Sequence, residues 1–246
     1  MPRILLTVAY DGTEYHGWQI QDNGDTIEGE LNRAIERLTG EVTEVIGASR
    51  TDSGVHGLCN RAVFDTKSTI PPERFYAALN TYLPDDIRVI SSREVADDWH
   101  PRKRTTHKTY EYRIECSDVA NPLRARYVWH MKGPLDVDKM KEAAKRLLGE
   151  HDFTTFCSVN GTALTNVRTI IDIDVSVEEY GEIVIRVKGN GFLYNMVRII
   201  AGTLVHVGMG RFTPDDVTAM LEAKDRTKGG PTAPPQGLTL VKIEDI

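Results

Sequence analysis

Along this chain apolar residues either alternate with polar ones or recur at helical spacing, and the elements they predict follow an order that occurs twice. Arg3 to Ala9 reads as a strand. Thr26 to Leu38 reads as an amphipathic helix, because Ile27, Leu31, Ala34, Ile35 and Leu38 fall three and four residues apart. Val42 to Ala48 and Leu58 to Asp65 follow as strands flanking a Ser49-Arg50-Thr51-Asp52-Ser53-Gly54 loop. Pro71-Pro72 opens a second helix, running through about Tyr82, and Ile87 to Val95 is another strand. The order is β-α-β-β-α-β. In the second half, Thr105 to Glu115 is a strand, Asp136 to Leu148 a helix, and Thr169 to Val177 and Ile183 to Lys188 strands that turn near Tyr180-Gly181. Helical segments Phe192 to Val207 and Pro214 to Ala223 precede a last strand, Leu238 to Ile243, with Pro231 to Pro235 a short loop. An α+β chain of two ferredoxin-like β-α-β-β-α-β halves is therefore expected, residues 1–103 and 104–246, with a cleft between them as the natural place for an active centre.

Composition changes this picture little. With 246 residues, 40% apolar and 27% charged, the chain can cover a real core. No apolar run approaches the roughly 20 residues that span a membrane, and Asp11 cuts off the opening run Ile4 to Tyr10, so no signal peptide or membrane segment is expected. The three cysteines, Cys59, Cys116 and Cys157, lack the close pairing of zinc ribbons or disulfide scaffolds and fit a reducing cytoplasm. A net charge of −6 argues against a polyanionic partner unless cations cluster locally. They do. Arg102 to Tyr110 carries Arg102, Lys103, Arg104 and Lys108 without an acid, and the acid-free stretch from Ala120 to Leu135 holds Arg124, Arg126, His130 and Lys132 among Tyr127 and Trp129. Such interleaving can meet phosphates and stack on bases, and it is equally compatible with a solvated basic face.

Several motifs can be set aside. Lys188-Gly189-Asn190-Gly191-Phe192 has Asn190 where an RNA-recognition motif needs an aromatic. The glycines complete neither a dinucleotide fingerprint nor a phosphate loop, and the seven histidines are scattered without zinc-ligand spacing.

Gly47 to Gly57 lies where a buried strand gives way to a glycine-punctuated loop, a place where a rigid scaffold can hold a reactive carboxylate. Asp-Ser-Gly also turns for backbone reasons alone, and the residue types by themselves favour that plainer account. However, Arg50-Thr51-Asp52-Ser53-Gly54-Val55-His56 resembles the R-T-D-x-G-V-H motif of the TruA family of tRNA pseudouridine synthases. Further blocks resemble the same family in the same order: Tyr10 to Thr13 with Tyr15 to Gln19, Lys108 to Tyr112, Gly149 to Phe153, Gly191 to Arg198, and Ala233-Pro234 through Gly237-Leu238. The resemblance covers essentially the whole chain.

It implies a pseudouridine synthase fold whose two sheets face a central catalytic cleft, and an isomerase that turns uridine into pseudouridine in the anticodon stem-loop of tRNA. The family breaks the N-glycosidic bond, rotates the uracil and rejoins it through carbon, which requires the base to be flipped out of the stack. By the match, Asp52 is the catalytic carboxylate, a nucleophile toward the sugar or a base. Arg198 matches its basic partner, which keeps the carboxylate ionised. Tyr110 matches the active-site tyrosine, able to stack on uracil or move a proton. Arg50 resembles the residue that fills the space of the flipped base or grips adjacent phosphates. Arg102, Lys103, Arg104, Arg124 and Arg126 are the expected tRNA contacts. Neither metal nor organic cofactor is called for, and a cytoplasmic homodimer is expected, since two subunits can compose a basic surface that one acidic chain lacks. Ser49 stands where bacterial members typically have Gly, and Trp99-His100-Pro101-Arg102 departs from the family's Phe-x-Ala-Arg, so other RNA positions stay open as targets. The rival readings are a catalytically silent RNA-binding protein on the same frame and a nucleoside or glycoside hydrolase. The hydrolase would need a second carboxylate near Asp52, and the loop supplies none.

Overall fold

A computed structural model of the chain describes every residue except Asn23, Arg104, Asn160 and Thr162, and divides it into two compact units, Met1–Thr105 with Leu240–Ile246, and Thr106–Thr239. In the first unit β1 (Arg3–Tyr10) is the middle of the pairing, antiparallel to β3 (His56–Asp65) and to β4 (Ile87–Val95). β2 (Ile46–Gly47) also pairs with β3, and the C-terminal strand Leu238–Asp245 lies on β3's far side. Against this sheet packs α1 (Ile27–Thr39). Thr26 caps it by accepting from Gly29 N–H, and Gly40 ends it in the left-handed conformation. Its stripe of Ile27, Leu31, Ala34 and Ile35 is buried with Ile4, Leu6, Val8 and Trp18, each large aliphatic side chain contributing about 1.5–3 kcal/mol.

Three expectations for this half need correcting. The strand foreseen over Val42 to Ala48 shrinks to Ile46–Gly47: Val42 is exposed, and Val45 N–H donates to Asn32 Oδ1 rather than to a neighbouring strand. The helix foreseen from Pro71 to Tyr82 is a 3₁₀ turn, Pro72–Arg74, followed by the five-residue α2 (Phe75–Leu79). Beyond α2 the Asn80 amide is committed to Val89, accepting from its N–H at 2.8 Å and donating to its carbonyl at 2.9 Å. The division at residues 103 and 104 gave the last strand to the second half, whereas Leu240–Ile246 groups with the first. Arg61 accounts for this, donating to Asp245 Oδ1 at 2.8 Å and Ile243 O at 2.9 Å.

In the second unit β5 (Thr106–Cys116) is flanked by β6 (Trp129–Met131), parallel to it. α3 (Val137–Lys145) leads to β7 (Gly149–Asp152), and β8 (Val167–Val177) and β9 (Ile183–Gly189) complete an antiparallel order β5-β9-β8-β7. α4 (Met196–Gly208) is buried on nearly all sides and is the core helix, and α5 (Pro214–Ala223) begins with a Thr213/Asp216 capping box. Alternation along β5 puts Tyr110 and Tyr112 on one face and Glu111 and Arg113 on the other. On that second face Glu111 accepts from Arg186 and Arg113, and Arg113 also meets Glu178 and Glu182. Among the described residues no helix is long and apolar enough to cross a membrane.

Candidate active site

Asp52 sits half-buried in a turn closed by Val55 N–H donating to the Asp52 carbonyl at 3.1 Å, with Gly54 at φ +76°. The turn is held from the N-terminal segment. Trp18 N–H donates to Thr51 O at 3.0 Å, the Thr51 and Tyr10 hydroxyls are 2.8 Å apart, and Ser53 Oγ and Gly54 N–H both donate to Tyr15 O at 3.2 Å. Asn60 braces the approach to the turn, its amide bonding both Ser49 N–H and Ser49 O. Gly17, at φ +91°, passes so close that a Cβ there would lie 2.6 Å from Thr51 O and 3.0 Å from the Asp52 carbonyl carbon. Residues 10–18 thus form the bed of the Asp52 turn, a function their motif resemblance did not reveal.

His56, buried at the end of the motif, accepts from Gly12 N–H at Nδ1 over 3.0 Å. Asp11 Oδ1 is also 3.2 Å from that nitrogen, yet it already accepts from Thr13 N–H and Thr13 Oγ. His56 thus braces the turn through the Gly12 backbone, with the Asp11 carboxylate beside the same ring nitrogen.

Two predicted cations join Asp52's unit near its loop. Arg50 is exposed, and Arg102 Nε donates to Gly47 O at 2.8 Å, bridging 55 residues of sequence to hold the strand that leads into the loop. Burial, with the Arg50 charge next, lowers the Arg102 pKa from its usual value. Behind them Glu28 is buried at the start of α1 and accepts from Ile20 N–H at 3.0 Å; burial raises its pKa above the usual carboxylate value, against the opposing pull of that bond and of Arg102. Lys103 is exposed, and Arg104 lies outside the described residues.

The second unit carries Tyr110 and Arg198. Tyr110 is buried on β5, its ring edge-on to Phe192 at 5.2 Å and 84°. Arg198, in the first turn of α4, is fixed by Nε donating to Ala233 O and Nη1 donating to Asn195 Oδ1, each at 2.8 Å. Asn195 holds φ +59° just before the helix, and its Nδ2 donates to Ser158 Oγ at 2.9 Å. The left-handed Asn195 is why α4 begins at Met196 and not at Phe192. Tyr112, expected to be only a strand aromatic, donates its hydroxyl to Pro234 O at 2.8 Å, so Ala233 and Pro234 anchor both Arg198 and the β5 face. Arg126 is exposed. Arg124 is ion-paired with the buried Glu182, so its charge is met within the protein. Sequence reasoning missed Asn195, Phe192 and the Ala233–Pro234 carbonyls as site supports, although all lie in or beside blocks it had matched.

The first unit thus carries a carboxylate on a braced turn, and the second a buried phenol set against a second ring and a guanidinium held by a carbonyl and an amide. The model of the tRNA pseudouridine synthase family matches residues 6–102 and 143–244. The chain is 46% identical over 243 residues to "tRNA pseudouridine synthase A" of Thermoanaerobacter sp. (strain X514), covering 99% of each. Against "tRNA pseudouridine synthase A 2" of Clostridium perfringens (strain 13 / Type A) the identity is 49%, and against "tRNA pseudouridine synthase A" of Caldicellulosiruptor saccharolyticus it is 44%, again over 243 residues and 99% of each chain. This chain belongs to the tRNA pseudouridine synthase family.

Proposed function

We propose that this protein isomerises uridine to pseudouridine in the anticodon stem-loop of tRNA, with Asp52, Tyr110 and Arg198 as its catalytic residues. The bond between ribose C1′ and uracil N1 breaks, the uracil turns, C1′ joins C5, the C5 proton leaves, and N1, freed of the sugar, takes up a proton. Asp52 serves as the nucleophile at C1′ or as the base, and both roles need the ionised carboxylate. Arg198 supplies the compensating positive charge, and the Tyr110 ring faces the flipped uracil while its hydroxyl is available for proton transfer. The observation that carries the reading is the bracing of the Asp52 turn by Tyr10, Tyr15 and Trp18, which holds the carboxylate's turn in one position, as a catalytic group that must meet its substrate in a defined geometry requires.

Arg50, Arg102, Lys103, Arg104 and Arg126 meet tRNA phosphates, with Arg124 contributing less because Glu182 already occupies it. The protein works in the cytoplasm as a homodimer, a reading supported by its three free cysteines and by the acidic balance of −6, which leaves one subunit short of basic surface. A monomer by light scattering that retains full activity would remove the dimer. For the chemistry the test is Asp52→Asn, incubated with tRNA tritiated at uracil C5. Tritium release is expected to vanish while tRNA affinity stays within about twofold, since the amide keeps the shape and loses the charge. Release at the wild-type rate would sink the assignment.

A further inference from the structure

Arg168 lies outside the motif blocks that carried the resemblance and was not selected from the sequence, yet its surroundings are unlike those of Arg113 and Arg186 on the neighbouring strands. It stands on β8 opposite His151, two residues before Ile170, which is opposite Gly189. Val187, two residues before Gly189, is opposite Tyr110. Alternation therefore puts Arg168, Ile170, Gly189, Val187 and Tyr110 on one face of the sheet. Phe192 spans the interval: a Cβ at Gly189 would touch its ring at 3.1 Å, and its edge meets Tyr110 at 5.2 Å. A Cβ at Gly191 would come within 3.6 Å of Arg168 Nε, so the guanidinium lies beside the loop that carries this ring.

The guanidinium is oriented but electrically unmatched. Its Nη1 donates to Thr165 O at 2.8 Å and Val167 O at 2.6 Å, which uses both hydrogens of that nitrogen. Among the described residues nothing hydrogen-bonds the Nε and Nη2 edge, and that is the side that presents two parallel N–H groups to a carboxylate or phosphate. Arg113, Arg186 and Arg124 each sit on a glutamate, whereas among the described residues no carboxylate is in ion-pair contact with Arg168. Burial lowers the pKa of this guanidinium from its usual value, and the opposing influence comes from Cys157, not from a carboxylate. A half-buried cation fixed by two carbonyls and lacking a counter-ion is prepared for an anion from outside.

We propose that Arg168 binds a phosphodiester of the substrate RNA beside the Tyr110 ring, through its Nε and Nη2 edge. The assignment rests on the reading of Tyr110 as the residue facing the flipped uracil: a nucleotide held there must carry its own phosphates along the same face, and a guanidinium fork there fixes the backbone next to the extruded base. It would act in binding and register, not in the bond-making step.

The test measures tRNA affinity across a salt series for the wild type, Arg168→Gln and Arg168→Lys, with tritium release followed on the same tRNA. Arg168→Gln is expected to bind roughly tenfold more weakly, with the slope of log affinity against log salt reduced by about 0.7–0.9, the change for one lost phosphate contact. Arg168→Lys keeps the cation and its reach to the carbonyls, so it should fold, keep the slope and bind several-fold more weakly for want of the fork. An affinity loss in Arg168→Gln with an unchanged slope would mark a purely structural role and overturn the proposal. Unchanged affinity in Arg168→Lys would overturn the two-pronged contact even if Arg168→Gln failed to fold. Should the wild type release no tritium, the activity assigned above fails; should it release tritium while both variants bind like wild type, only the Arg168 site fails.

Discussion

Replacing Gly17 with alanine probes whether the N-terminal segment truly sets the position of Asp52. At φ +91° an L side chain is strained by roughly 1–3 kcal/mol. The new Cβ would also stand 2.6 Å from Thr51 O, so the Asp52 turn must retreat by roughly 0.8 Å to reach ordinary contact. Strain and overpacking together are expected to lower stability by roughly 2–4 kcal/mol. A displacement approaching 1 Å at a catalytic group costs on the order of a hundredfold in rate. Gly40 is the internal control: at φ +72° it closes α1, and a Cβ there meets nothing within 4 Å. Gly40→Ala should therefore lose about 1 kcal/mol and keep wild-type turnover. The assay is single-turnover tritium release at saturating enzyme, beside urea denaturation of both variants under the same conditions. Wild-type turnover from folded Gly17→Ala, or an equal rate loss in Gly40→Ala, would refute the claim that the close approach of Gly17 positions the carboxylate.

Two further outcomes follow from the second unit. Asn195→Gly tolerates φ +59° but removes the amide between Arg198 and Ser158, so turnover should fall about tenfold with KM changed less than twofold; an unchanged rate constant would show that Asn195 is not needed to orient Arg198. Burial works to raise the Glu111 carboxyl, but hydrogen bonds from Arg186 and Arg113 overcome it and leave its pKa below the usual glutamate value. The stability this gives is full above the unfolded glutamate pKa of about 4.3 and is lost as pH falls through the depressed folded value. Glu111→Gln should therefore cost about 2 kcal/mol at pH 7 and progressively less below about pH 4, and an equal cost at both pH values by urea denaturation would contradict the pairing.

Much of this protein was legible in its sequence where the information is local. The 3.6-residue spacing of Ile27, Leu31 and Ile35 requires one buried helical stripe, and Thr26 and Gly40 mark its ends by their own backbone chemistry. Asp52, Tyr110 and Arg198 could be picked out because each sits in a contiguous run whose residues match a family pattern. Short elements escaped: Gly149–Asp152 has no apolar residue to betray it and is a strand only because Val167–Ile170 lies alongside. The strand expected at Val42 failed for the converse reason, since β propensity alone cannot supply a partner.

What only the tertiary structure decided is which distant groups meet. Asp52 is held by backbone and hydroxyl groups of residues 10–18, Arg102 reaches back 55 positions to Gly47 O, and Arg198 answers to the carbonyl of Ala233. Charge clustering selected Arg124 and passed over Arg168, yet folding set the first on a buried glutamate and left the second beside an aromatic pair with its fork open among the described residues. The chain determines the type and order of its elements through near-neighbour sterics and burial. The roles of individual polar groups depend on hydrogen bonds between segments far apart in sequence, which exist only once the sheets have formed.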